Sequence, residues 1–139
     1  MPRRLADLAS RAEAPAFAAL RIVAGALLSC HGMQKLLSWP PGGHAVQLST
    51  QLGVGGVIEL VCGTLVAIGL FARPAAFLAS GTMAVAYFQF HWKLATANYA
   101  WLPIVNKGEL AVAYCFLFLY VAAHGAGIAS VDASRKRGR

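Results

Sequence analysis

The sequence predicts an all-α fold, an integral membrane four-helix bundle with both termini in the cytoplasm, and three observations carry that expectation. Of 139 residues, 58% are hydrophobic and only 12% are charged, with a mean hydropathy of +0.61, a balance that does not furnish a water-facing surface. Four apolar windows approach the roughly 20 residues that a helix needs to cross a hydrocarbon core about 30 Å thick. Lysine and arginine are divided unequally between the two sides that those windows define.

The first span, "PAFAALRIVAGALLSCHGM", covers about residues 15–33 and is interrupted by Arg21. The second, "VGGVIELVCGTLVAIGLFA", covers about 54–72 and contains Glu59. Only Arg73 separates it from the third, "PAAFLASGTMAVAYFQFH", at about 74–91, and the fourth runs from about Glu109 to Ile128. No cleavable signal peptide is expected, because Asp7, Glu13 and Pro15 lie between the leading arginines and the first apolar run. With no repeat or low-complexity stretch, residues 1–139 read as one domain.

Orientation follows from the basic residues. Arg3, Arg4, Arg11, Arg73, Arg135, Lys136, Arg137 and Arg139 share one side, whereas Lys35, Lys93 and Lys107 hold the other, so both ends face the cytoplasm of a bacterial-type inner (plasma) membrane crossed several times. The net charge of +7 is then a topology signal and an attraction to anionic membrane lipid. Nucleic acid is excluded as a partner, since the basic residues are split between short ends without an aromatic platform. The two long connections, 34–53 and 92–107, fall outside together with Trp39, Trp92 and Trp101, rings suited to headgroup level.

Helical spacing orients the polar residues. Gly55, Glu59 and Gly63 form a strip at spacing four, expected to meet a neighbouring helix and carry Glu59 inward. Arg21, Gly25 and Gly32 share a face, with Lys35 about 40° further round at 100° per residue. Glu109, Phe116, Tyr120 and Gly127 align on the fourth span and are expected to look inward. Plainer readings stand beside these: Arg21 as a snorkelling anchor, Glu109 as a charge offsetting its helix dipole, and His31, His91 and His124 as interfacial side chains. Yet Gln34, Lys35, Glu59, His91, Asn106 and Glu109 come from all four spans and their flanks, and converge near one membrane level. A polar cluster at the outer end of the bundle is the structural expectation.

Other chemistries are thinly supported. Cys30, Cys62 and Cys115 make no C-x-x-C pair and read as small buried side chains, so no metal site is expected, and there is no Gly-rich nucleotide loop. His31 and His91 sit at one level, as axial haem ligands would, but no pattern demands a haem.

The string "NKGELAVAYCFLFLY" at 106–120, followed by "GAGIASVD", resembles the terminal signature of DoxX-type membrane proteins. Arg21 followed by "HGMQKL", "GGVIEL" leading to "GLFARPAA", and His91 closing the third span agree with it, so the likeness runs from about Phe17 to Asp132. Lys107 stands where a second glycine is common, and Ala126 where proline is frequent. The resemblance implies a four-helix inner-membrane protein, some relatives of which accompany thiosulfate:quinone oxidoreductases and other redox partners.

From that resemblance follows the leading functional expectation, a quinone-facing membrane subunit of an oxidoreductase with a quinone as candidate cofactor and a peripheral redox or sulfur-transfer protein as candidate partner. Glu59, His91 and Glu109 would form a proton relay. Lys35, His91 and Asn106 would bind the ring, with Phe88, Phe116 and Tyr120 as its apolar slot, while Arg21 and Lys35 serve as structural ionic groups. The alternatives are a noncatalytic scaffold or assembly partner and a small-solute transporter. The last would require a homo-oligomer, because four spans supply few walls for a pathway.

Overall fold

The computed structural model describes residues 3–92 and 99–138, with side chains from residue 7 onward. The side chains of Arg3 and Arg4, together with Lys93 and Arg139, all counted in the charge asymmetry, lie outside the described residues, as does 93–98 of the second long connection. The fold is all-helical: α1 (Arg3–Leu37), α2 (Gln51–Ile68), α3 (Ala72–Ala86) continued by a π-helical segment (Tyr87–His91), a short α4 (Pro103–Asn106), α5 (Glu109–His124) and α6 (Val131–Arg137). α1 and α2 are long and apolar enough to cross a membrane, and α5 is a shorter apolar helix. At 1.5 Å per residue the 18 residues of α2 extend about 27 Å.

Several predicted boundaries move. α1 passes through Pro15 and begins well before it, with residues 7–16 exposed. The predicted fourth span ends early, at His124, because Gly125 and Gly127 take φ of +98° and +64° and turn the chain. α2 also stops short of its predicted end, at Gly69 in a left-handed conformation, where Leu70 N–H donates to Leu65 O at 2.9 Å and Gly69 N–H to Val66 O at 3.1 Å, the paired bonds of a Schellman turn.

Each long helix buries one stripe. Phe17, Arg21, Ala24, Leu28 and Gly32 of α1, Gly56, Glu59, Gly63 and Val66 of α2, Ala72, Ala76, Ala79 and Met83 of α3, and Ala111, Tyr114, Phe118 and Val121 of α5 recur at spacings of three or four. α1, α2, α3 and α5 share a single apolar core through these stripes. The opposite faces are apolar too: Val23, Leu27, Val61, Phe77, Leu78 and Phe116 are all exposed. Apolar surface on that scale marks contact with lipid or another apolar partner.

α1 and α2 run antiparallel and touch backbone to backbone. A Cβ placed on Gly25 would lie 2.6 Å from Gly63 O, and one on Gly32 would lie 2.5 Å from Leu60 N. Small residues permit this approach, which trades side-chain bulk for close dispersion contact. The glycine strip is corrected in one respect: Gly63 packs against α1, but Gly55 faces open space and Gly56 takes its place at the helix contact.

The close contact predicts contrasting outcomes for glycine variants. Gly32→Leu should lower the thermal midpoint in detergent micelles, with an overpacking cost of at least about 1–3 kcal/mol. Gly55→Ala should leave the midpoint unchanged or raise it; equal effects of both variants would contradict the packing.

Candidate functional site

The connection 38–50 and the described residues 92 and 99–102 lie at one end of the helices, the long-loop end, and the tight turns 69–71 and 125–130 at the other, the short-turn end. Each end holds a distinct polar arrangement.

At the long-loop end the α1–α2 contact brings two charges together. Lys35 Nζ donates to Glu59 Oε1 at 2.5 Å, the one ion pair among the described residues. Glu59 is nearly inaccessible, whereas the Lys35 side chain keeps about a third of its exposure. Glu59 Oε2 is buried without a hydrogen-bond partner among the described residues. An orphaned carboxylate oxygen of this kind carries a desolvation cost of about 1–3 kcal/mol unless something else satisfies it.

A cavity of about 190 Å³ lies against this pair. α1 contributes Leu28, His31 and Lys35 at one-turn spacing; α3 contributes Met83 and Ala86. From α5 and the residue preceding Gly108 come Tyr114, Ala111, Leu110 and Lys107. His91 completes the wall because of the π segment. A π turn spaces same-face residues by five, and the i to i+5 bond from Trp92 N–H to Tyr87 O at 2.8 Å marks one here, so His91 returns to the face of Ala86. His31 and Tyr114 meet edge to face, with ring centroids 6.4 Å apart.

Asn106 does not line this cavity. Its Oδ1 accepts from Gly108 N–H at 2.8 Å, its Nδ2 donates to Ala100 O at 3.2 Å, and its carbonyl lies 3.3 Å from His91 Nδ1. It is a turn residue that positions His91 and the start of α5. Gln34 likewise turns aside, donating to Pro40 O at 3.2 Å.

Beside Asn106, four predicted positions are corrected. Glu109, Phe116 and Tyr120 do share a face of α5, as spacing requires, but it is the outward one. Each stands two residues from a buried position, Ala111, Tyr114 or Phe118, and two residues turn a helix by about 200°. Glu109 borders an exposed groove with Ile104 and Lys107, and Tyr120 packs on Phe17 and His124 toward the short-turn end. Phe88 is exposed and stacks on Tyr87 and Trp92. Tyr114 and Met83 were overlooked; Ala111, Tyr114 and Phe118 recur at three- and four-residue intervals on the buried face, but α5 is apolar all round, so that spacing alone does not single it out.

At the short-turn end Arg21 is completely buried. It donates to Val66 O at 2.6 Å and Ala67 O at 2.7 Å at the end of α2, and to Ala129 O at 2.8 Å and Ile128 O at 3.4 Å beyond α5. The snorkelling alternative is therefore set aside: the side chain turns into the protein. Arg73 donates to the carbonyls of Ala122, Ala123 and His124, ending α5, and Asp132 accepts from Phe71 N–H and Ala72 N–H, starting α3.

The DoxX family model matches residues 16–92, more than half of the chain, including Arg21, Lys35, Glu59 and His91. The chain belongs to the DoxX family. It is also 43% identical over 116 residues to an uncharacterized protein of Haemophilus influenzae strain Rd, a match covering 81% of this chain and 85% of that one. No solved structure matches the chain. This DoxX-family membrane protein thus carries its ion pair and π segment inside the matched region, while α5 closes the cavity from beyond it.

The carbonyl clamp predicts that Arg21→Met destabilises the protein by at least about 3 kcal/mol, since several buried acceptors lose a charged donor. Arg21→Lys should recover only part of this, an ammonium being unable to reproduce the guanidinium fork. Thermal denaturation in micelles is the measurement, and wild-type behaviour of Arg21→Met would refute the clamp.

Proposed function

We propose that this chain is a quinone-facing membrane subunit of an oxidoreductase, crossing a bacterial-type plasma membrane four times with both termini in the cytoplasm. Apolar outward faces on α1, α2, α3 and α5 support the four crossings, and Arg73, Arg135, Lys136 and Arg137 at the short-turn end support its cytoplasmic orientation. The observation that carries the reading is the buried Glu59, paired through one oxygen and unsatisfied at the other, beside a cavity with two imidazoles.

The dimensions fit a quinone ring. A cavity of about 150 Å³ admits benzene, so about 190 Å³ accommodates a small substituted ring. A bound quinone would supply two-electron redox chemistry, its electrons coming from a peripheral redox or sulfur-transfer partner. Within the cavity His31 and His91 offer hydrogen bonds to carbonyl oxygens, and the imidazole side chain exchanges protons readily near neutral pH. Glu59, a wall of the cavity, would serve as the proton carrier, with Lys35 stabilising its carboxylate. Leu28, Met83 and Leu110 exclude water from the ring's faces. Glu109 has no part in this scheme, because its side chain is on the outer surface of α5.

A second reading, a noncatalytic assembly subunit, is favoured by the ion pair alone, since a buried pair can fix helix register without any ligand. One experiment separates the two. After gentle detergent purification with partners retained, wild-type protein should yield extractable quinone. Glu59→Gln should weaken binding of added quinone about tenfold, the equivalent of about 1.4 kcal/mol, while its partners still copurify. Loss of the complex with quinone affinity unchanged would instead establish the assembly role.

A further inference from the structure

A groove of about 410 Å³ runs between α2 and α3 on their outer faces. Val54 and Ile58 form one wall and Phe77, Leu78 and Val85 the other. Two glycines, Gly55 and Gly81, border it, and a Cβ built on either would meet no heavy atom within 4 Å. They differ from Gly25, Gly32 and Gly63, whose hydrogens let backbones touch. Glycine within a helix is destabilising relative to alanine. At 55 and 81 no helix contact offsets that cost; what the missing side chains preserve is space.

The groove has a neighbour. Gln51, Gly55, Thr82 and Val85 also border a separate narrow cavity of about 60 Å³ that is walled on its other side by Lys35 and Glu59. Lys35, Glu59 and Ala86 are also walls of the 190 Å³ cavity, so the narrow space lies between the outer groove and the polar site and shares walls with both. It is too small for a ring, yet an extended hydrocarbon chain could thread it. Thr82 Oγ1 donates to Leu78 O at 2.9 Å within its own helix, leaving the walls without a free hydroxyl donor. At the inner end of this series of spaces stands the Lys35–Glu59 ion pair.

We propose that the α2–α3 groove is the tail channel of the quinone site, receiving an isoprenoid tail sideways from the bilayer while the ring occupies the cavity beside Glu59. The proposal rests on the quinone reading above and specifies the substrate as a tailed, membrane-resident quinone. A helix from a second copy, about 10 Å across, would cover the groove's rim but could not enter the narrow space beside Glu59. A slot that is mainly apolar, with Gln51 and Thr82 bonded elsewhere, and charged at its inner end matches an amphiphile with one chain and one head.

Gly81→Leu tests it, because the new side chain enters open space and fills the groove without displacing a helix. Dissociation constants are measured in micelles for a prenylated quinone and for its tailless analogue. Wild type should bind the prenylated form more than tenfold tighter, and Gly81→Leu should erase that difference while leaving the tailless affinity unchanged. Equal affinities in wild type, or a preference that survives Gly81→Leu, would overturn the channel and leave the quinone site standing. Binding of neither compound to wild type would overturn the quinone reading and the channel with it. Should Gly81→Leu fail to fold, a quinone photoreactive at its tail decides the matter on wild type: cross-links within 77–85 support the channel, and cross-links confined elsewhere refute it.

Discussion

Arg21 holds together three parts of the chain that are distant in sequence. A guanidinium removed from water must find acceptors inside the protein, and here they are main-chain carbonyls at the end of α2 and in the turn after α5. Helix ends expose such carbonyls, and the negative end of the helix dipole favours a cation beside them. Arg73 meets the end of α5 in the same way, while the carboxylate of Asp132 meets the N–H groups that open α3. Sign is matched to helix polarity at each of these ends. The short-turn end is therefore a fixed joint, from which the helices extend toward the long loops.

That joint gives α1 two working faces. Gly25 and Gly32 press against α2, and the same rotation directs Leu28 and His31 toward α3 and α5. Because Gly32 rests on Leu60, Lys35 arrives beside Glu59. The ion pair is thus a consequence of backbone contact one turn away. The π segment then adds His91 from α3, and the Asn106 turn holds that ring by its carbonyl. The cavity is built from helix packing on three sides and from one irregular turn on the fourth.

Much of this was legible in the sequence, for identifiable reasons. The apolar runs located the long helices because lipid-facing and core-facing residues are both apolar, and their ends erred where a glycine turn or a tolerated Pro15 moved the boundary. Glu59 announced its burial, since a short carboxylate inside an apolar run requires a partner, whereas Arg21 could also be read as a snorkelling anchor. The partners were harder to see: carbonyl acceptors carry no sequence signature, so the Arg21 clamp was invisible. On α5 periodicity grouped Glu109, Phe116 and Tyr120 correctly but could not say which face was inward, because Ala111, Tyr114 and Phe118 form an equally good stripe. Hydropathy separates faces in water; in a helix apolar all round it does not.

The buried Arg21 and the half-buried Lys35 differ in a way that bears on function. At the short-turn end, where the demand is structural, the chain uses arginine, whose planar fork engages carbonyls from two segments at once. Beside Glu59 it uses lysine, a point charge that satisfies one carboxylate oxygen and leaves the other. An arginine there could close both oxygens in a bidentate pair, the better arrangement if register were the only requirement. Lysine retains a charge-stabilised carboxylate with a vacant acceptor, on a residue that also walls a ring-sized cavity. That combination is costly for a scaffold and useful for a site that must hold and release a proton.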